Sequence, residues 1–328
     1  MIIVTGGAGF IGSNLLAALD ARGVPDLVVC DRLGGGGKWR NIAKRELADI
    51  VPPEDLMGFL DAHVAEVEAV FHMGAISTTT ETDADLMVRE NLRFSLDLWH
   101  WGAARGVRVV YASSAAVYGD GAEGFDDDAS CQALARLRPL NLYGWSKLVF
   151  DRRVARLVTR GGPAPPQWAG LRFFNVYGPN EYHKRGQRSV VIQVFEQAAE
   201  HGRARLYKSH RADVPDGGQR RDFVWVDDAL AVMLWLHDHP AVCGLFNVGT
   251  GTARSFAELA NAVFAARGEA PRIAYVDTPV ELRDKYQYFT EAPMHRLRAA
   301  GYDVPATRLE DGVGAYVRDY LAAADRYR

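Results

Sequence analysis

Short apolar runs alternate with longer stretches of mixed polarity through the first half of the chain. The runs Ile2–Val4, Leu27–Cys30, Glu68–His72, Val107–Ala112 and Gly170–Phe174 have the length of strands and are largely apolar, which predicts strands covered on both faces. Between them, apolar residues recur at helical spacing, as in Ser13-Asn14-Leu15-Leu16-Ala17-Ala18-Leu19. Strands alternating with helices of this length predict an α/β chain built on a parallel, doubly wound sheet of Rossmann type.

The second half reads differently. Gly161-Gly162-Pro163-Ala164-Pro165-Pro166 is a breaker cluster and predicts a surface loop. Past Gly178-Pro179 the pattern is irregular, and a polar, glycine-containing loop runs over Ser209–Gln219. Apolar runs near Phe223–Val226 and Leu245–Val248 are read as a return to the sheet. The expected organisation is a first domain over 1–170, its sheet completed by about 223–250. A smaller, interleaved α/β domain would come from 171–222 and 251–328. No repeat is visible, and the one low-complexity piece is Gly34–Gly37.

At 328 residues the chain can bury a sizeable core. A charged fraction of 24% and a net charge of −3 give no reason to expect nucleic acid or an anionic membrane as a partner. Cys30, Cys131 and Cys243 are far apart and odd in number, against a disulfide framework or a cysteine metal cage. The nine histidines do not cluster, so no metal centre is expected. No apolar run approaches the ~20 residues of a membrane span, and Met1 leads into a strand rather than a signal peptide. A reduced cytoplasm is the expected location.

The first candidate chemistry follows the first strand. In Thr5-Gly6-Gly7-Ala8-Gly9-Phe10-Ile11-Gly12, Gly7, Gly9 and Gly12 satisfy G-x-G-x-x-G, while Gly6, Gly9 and Gly12 satisfy the related G-x-x-G-x-x-G. Glycine is needed where the turn is tight, where backbone approaches a pyrophosphate, and where helix packs on strand. The helix start then offers free N–H groups to phosphate. Asp31, ending the next strand, suits the ribose hydroxyl of NAD, whereas Arg32 and Lys38 suit the 2′-phosphate of NADP. The expectation is NADP.

The second is Tyr143-Gly144-Trp145-Ser146-Lys147, which puts a phenol and an ammonium one helical turn apart. An ammonium close by lowers a phenol's pKa from roughly 10 towards neutrality, fitting it to take a proton from an alcohol. The strand ending in Ser113 and Ser114 reaches the edge where open parallel sheets bind ligands. Ser113 is expected to cap the next turn, and Ser114 to orient a reacting hydroxyl. Arg221, with its guanidinium fork, is expected on a diphosphate. His72 is read as a packed strand-end residue.

The glycine turn, Phe71–Ala75, Ser113–Gly119, Tyr143-x-x-x-Lys147 and Arg172–Pro179 together resemble the extended short-chain dehydrogenase/reductase family, over essentially the whole chain. The segments Tyr177–Lys184, Arg221–Val224, Tyr286–Thr290, Ala75–Asp83 and Leu297–Asp303 resemble its ADP-L-glycero-D-manno-heptose 6-epimerases. That resemblance implies a homo-oligomer, with a pentamer as one form, epimerising a nucleotide-diphosphate heptose for lipopolysaccharide. It assigns the cofactor, NADP, to Gly6, Gly9, Phe10, Ile11, Gly12, Asp31, Arg32, Lys38, Met73, Gly74, Ala75, Ile76, Ser77, Asn91 and Lys147. Asn175, Ser189, Tyr207, His210, Arg221 and Tyr286 would contact substrate. Tyr143 and Lys184 would be acid/base groups on opposite faces of the sugar carbon, assisted by Ser114 and Lys147. Three departures stand out: Arg32 stands where members carry Asn, which strengthens a 2′-phosphate contact; Pro52-Pro53 occupies a place where some members carry lysine; and the loop Arg211–Gln219 is long.

Two other functions are open from sequence. One is a nucleotide-sugar 4-epimerase or 4,6-dehydratase using NAD, although Ala115-Ala116 offers no carboxylate pair for dehydration. The other is a non-catalytic NADP sensor, against which the Tyr143/Lys147 pair argues.

Overall fold

The computed structural model describes residues 1–283 and 287–328. Its centre is a seven-stranded sheet. Six of its strands are β1 (Ile2–Thr5), β2 (Leu27–Cys30), β3 (Asp49–Val51), β4 (Ala69–His72), β5 (Arg108–Ser114) and β6 (Trp168–Phe173), and the seventh is Gly244–Val248. The spatial order is Gly244–Val248, β6, β5, β4, β1, β2, β3, and every pairing is parallel. The chain winds outward from β1 to β3, then returns to β4 on the other side of β1. The ligand crevice of such a sheet opens at that reversal, beyond the strand ends.

β1, β2 and β4 are buried along their whole length, as strands covered by helices on both faces must be. Side chains alternate between the two faces. Ile2 and Val4 pack with Leu15, Leu16, Leu230 and Met233 on one side; Ile3, Val28 and Val70 pack with Leu98 and Trp101 on the other.

All five expected strands are present, with β5 running on to Ser114. β3 was not expected: it is a three-residue edge strand with Asp49 and Ile50 exposed, too short to carry a pattern. Leu245–Val248 does join the sheet, beside β6. Phe223–Trp225 does not, correcting the expected return there. It pairs instead with Asn175–Tyr177 in a separate ribbon. After β6 the N–H of Phe174 still reaches Val248, but that of Asn175 reaches Asp222, so the backbone has already turned off the sheet. Two further ribbons join Ala204–Tyr207 to Ile273–Val276 and Arg220–Arg221 to Arg254–Ser255. No helix among the described residues is long and apolar enough to cross a membrane.

The turn after β1 is close-packed backbone. Gly6 has φ +63°, and a Cβ on it would lie 2.7 Å from Gly74 Cα; one on Gly12 would lie 2.3 Å from the Gly6 carbonyl oxygen. Neither neighbour is a side chain that could move aside. Gly12→Ala should therefore lower stability by about 1–3 kcal/mol, the usual range for overpacking, in urea denaturation. Wild-type stability would show that the contact can relax.

Candidate active site

A cleft of about 480 Å³ opens at the reversal between β1 and β4, lined by Gly6, Gly9, Phe10, Ile11 and Gly12 at one wall. The helix Phe10–Ala21 begins at Gly9 with no side-chain cap and no acidic residue in its first turn, leaving N–H groups and the positive dipole end for an anion. Asp31 accepts the Ala8 N–H at 3.0 Å, the Arg32 N–H at 2.7 Å and the Lys38 ammonium. Arg32 is half-exposed and pairs with Glu90 at 2.9 Å and Glu54 at 3.2 Å. The uncapped helix, glycine backbone and Asp31 suit the pyrophosphate and ribose of a dinucleotide.

Met73, Gly74, Ala75, Ile76 and Ser77 continue the cleft, and a buried polar chain holds them. Ser95 donates to the Asn91 carbonyl at 2.6 Å, so its oxygen accepts from His72 Nε2, 2.8 Å away. His72 Nδ1 then accepts from the Thr5 hydroxyl at 2.7 Å, and Thr5 accepts the Gly74 N–H at 3.0 Å. Burial, together with the charge of Lys147, pushes His72 down to about 3, so this inferred neutral tautomer persists at ordinary pH. Asn91 does not line the cleft; it clamps the N–H and carbonyl of Ile76 at 2.8 and 2.9 Å. Sequence reasoning missed Thr5 and Ser95 altogether.

At the reacting end the cleft is lined by Ser113, Ser114, Tyr143 and Lys147. Tyr143 and Lys147 sit in the first turns of the helix Leu142–Thr159, capped by Asn141, whose side chain accepts the Gly144 N–H at 2.8 Å. Two expectations need correction here. Tyr143 is not lowered by Lys147: burial raises its pKa, against a hydrogen bond with Ser114 that lowers it. Lys147 directs its ammonium to the Ala112 carbonyl at 2.8 Å, and burial lowers it to about 8 against the opposing pull of Asp151. Ser113 is also not the cap of the next turn. Ser114 accepts the Ala116 N–H at 3.1 Å and so caps the turn, while Ser113 is buried and donates to Asp151 at 2.9 Å.

Lys184 lines the same cleft as Tyr143, its ammonium 5.3 Å from the centre of the Phe10 ring. Burial lowers its pKa and Glu181 opposes this. Glu181, itself buried, accepts the Ser189 hydroxyl at 2.6 Å and the Tyr316 hydroxyl at 3.1 Å. Next to it, Asn41 donates to the carbonyls of Ala8 and Asn180 at 2.9 and 3.0 Å, tying the glycine turn to the segment before Lys184.

The remaining candidates lie outside the cleft lining. Ser189 is occupied by Glu181. Asn175 is exposed on its ribbon, and Tyr207 is exposed at the end of another. Tyr288 and His210 form a pair, with Tyr288 Oη 2.9 Å from His210 Nδ1. Arg221 donates to the carbonyls of Arg220 and Gln287, and the Gln287 amide donates to Gly119, linking this group to the serine turn. Tyr286 lies outside the described residues. Among those described, one trio has metal-ligand proximity, Asp126, Asp127 and His295, and Arg296 sits 3.3 Å from Asp127 as countercharge.

The model of the NAD dependent epimerase/dehydratase family matches residues 2–249. The chain belongs to this family. A relative from Nitratidesulfovibrio vulgaris (strain DP4), named ADP-L-glycero-D-manno-heptose-6-epimerase, is 49% identical over 329 residues and 100% of both chains. The crystal structure of the Helicobacter pylori ADP-L-glycero-D-manno-heptose-6-epimerase superposes with a TM-score of 0.78 at 27% identity, covering 98% of this chain and 96% of that one. The Thermus thermophilus UDP-glucose 4-epimerase in complex with NAD gives 0.75 at 26% identity, covering 98% and 99%. As an epimerase/dehydratase family member, the chain has a cleft for a nicotinamide cofactor.

Proposed function

We propose that the chain is an isomerase that inverts C6 of ADP-D-glycero-D-manno-heptose, giving the L-glycero epimer through a transient 6-ketone. The observation that carries this is one cleft lined by both Tyr143 and Lys184 at the end of a dinucleotide groove. The full-length likeness to the Nitratidesulfovibrio heptose epimerase supports the substrate. In the cell the product would serve lipopolysaccharide core assembly.

When bound, the nicotinamide supplies two-electron oxidation and reduction at carbon. The protein's part is proton transfer and orientation. On one face Tyr143 takes the C6 hydroxyl proton, with Ser114 hydrogen-bonded to it and Lys147 holding positive charge nearby. On the other face Lys184 protonates the oxygen when the ketone is reduced from the opposite side. Burial brings Lys184 closer to neutrality, which suits an acid/base group. Two groups are needed because one side chain serves only one stereochemistry. Asn175, Ser189, Tyr207, His210, Arg221 and Tyr286 remain the substrate-side candidates, carried by the smaller domain of 171–222 and 251–328. Ala115 and Ala116, which open the turn after β5, offer no carboxylate for dehydration.

We read the cofactor as NADP. Lys38 and Arg32 stand beside Asp31 at the cleft edge, and Lys38 already offsets the carboxylate charge that would repel a 2′-phosphate.

Tyr143→Phe should lower epimerisation by about 10²–10⁴-fold, and Lys184→Ala by a comparable factor, measured by proton NMR of the heptose. Lys184→Ala activity within a few-fold of wild type would remove Lys184 from the chemistry. Lys38→Ala should weaken NADP binding about tenfold or more, the worth of a charge-assisted hydrogen bond, and leave NAD binding less affected by calorimetry. Equal loss for both would argue against a 2′-phosphate contact.

A further inference from the structure

Beneath the reacting end lies a buried charge cluster that the proposed chemistry uses only through Lys147. Lys147 is 4% exposed, Asp151 and Arg172 are 0% exposed. Asp151 follows Lys147 by one helical turn, so both project from the same face of the helix Leu142–Thr159. Arg172 is the single charged residue of β6 and reaches Asp151 through Nε at 3.1 Å. Ser113 donates to the same carboxylate oxygen at 2.9 Å, and the Tyr111 hydroxyl stands 3.5 Å from the other. Arg172 is itself fixed: it donates to the Tyr118 hydroxyl at 3.0 Å, which donates to Asn247 at 2.6 Å on the last strand of the sheet.

We propose that Asp151 is a positioning residue that keeps Lys147 an ammonium, its carboxylate clamped by Arg172 and Ser113 one turn below the lysine. A buried cation needs a countercharge as well as hydrogen bonds. The Ala112 carbonyl supplies a hydrogen bond to Lys147 but no charge. Tyr143, one turn before Lys147 on the same helix, lines the same cleft, and His72 on β4, which feels the charge of Lys147, is neutral at ordinary pH. Arg172, a cation, acts on Asp151 from the far side. Asp151 is thus the charge that opposes the desolvation of Lys147. A carboxylate present only to neutralise Arg172 would leave Lys147 indifferent to its loss.

The inference rests on Lys147 belonging to the reacting end, but its test does not depend on turnover. In protein labelled with ¹³C at lysine Cε, the Lys147 signal, assigned with Lys147→Met, is followed through a pH titration. Asp151→Asn, of the same size and still able to accept from Ser113, should lower the Lys147 midpoint by about 1–3 units, the usual effect of losing a close opposite charge. Because that change strands the Arg172 charge, Asp151→Asn/Arg172→Gln removes both and should shift the midpoint in the same direction. An unshifted midpoint in either folded variant overturns the proposal. It would leave the assigned epimerase activity untouched, which the heptose assay tests separately.

Discussion

Contact between two strand ends, made through glycine backbone alone, is what the rest of the site depends on. Gly6 closes β1 and Gly74 follows β4, and there is no room for a Cβ between them. The same junction carries the Thr5–His72–Ser95–Asn91 chain, which fixes Gly74 and Ile76. Because β1 and β4 flank the reversal of strand order, a shift there would move the uncapped helix on one wall and Met73–Ser77 on the other together. Packed backbone of this kind has few ways to relax. The cleft is accordingly preorganised, not assembled from mobile side chains.

Charge is distributed along the cleft by a repeated device. Both lysines at its reacting end are backed by a buried carboxylate, Asp151 behind Lys147 and Glu181 behind Lys184. Each carboxylate is held by a serine hydroxyl, Ser113 at 2.9 Å and Ser189 at 2.6 Å. Desolvation pulls the lysine pKa values down while the carboxylates hold them up. That balance sets Lys147 at about 8 and holds Lys184 below the ordinary lysine range, whereas an exposed lysine near 10.4 would seldom be deprotonated. At the other end Asp31 and Lys38 form a third such pair, here at the cleft edge where binding is required and not proton transfer.

Much of this was legible in the sequence, for identifiable reasons. The strands of the parallel sheet are covered on both faces, so they announce themselves as apolar runs, and the glycine turn cannot be replaced without collision. The Tyr143/Lys147 spacing follows from helical geometry. What escaped detection lacks a local signal. Asp49–Val51 is too short for a period, and Phe223–Trp225 is apolar yet pairs off the main sheet because the backbone turns away after Phe174. That Ser113 turns inward and does not cap depends on Asp151, 38 residues away. Tyr143 was expected to be lowered by Lys147, but the lysine is spent on a backbone carbonyl and burial prevails. In retrospect the charged Arg172 in an otherwise apolar strand, and an Asp one turn past Lys147, were the visible traces of the buried cluster.

The most direct test of the central claim, inversion at C6 by oxidation and reduction within one cleft, uses ADP-D-glycero-D-manno-heptose carrying deuterium at C6. The purified protein is incubated with it in ordinary water and the heptose followed by NMR. Both C6 epimers should appear, and each should keep its deuterium, since only the hydroxyl proton passes through Tyr143 and Lys184. Epimers that lose deuterium to solvent, or the absence of any second epimer after NADP is supplied, would contradict it.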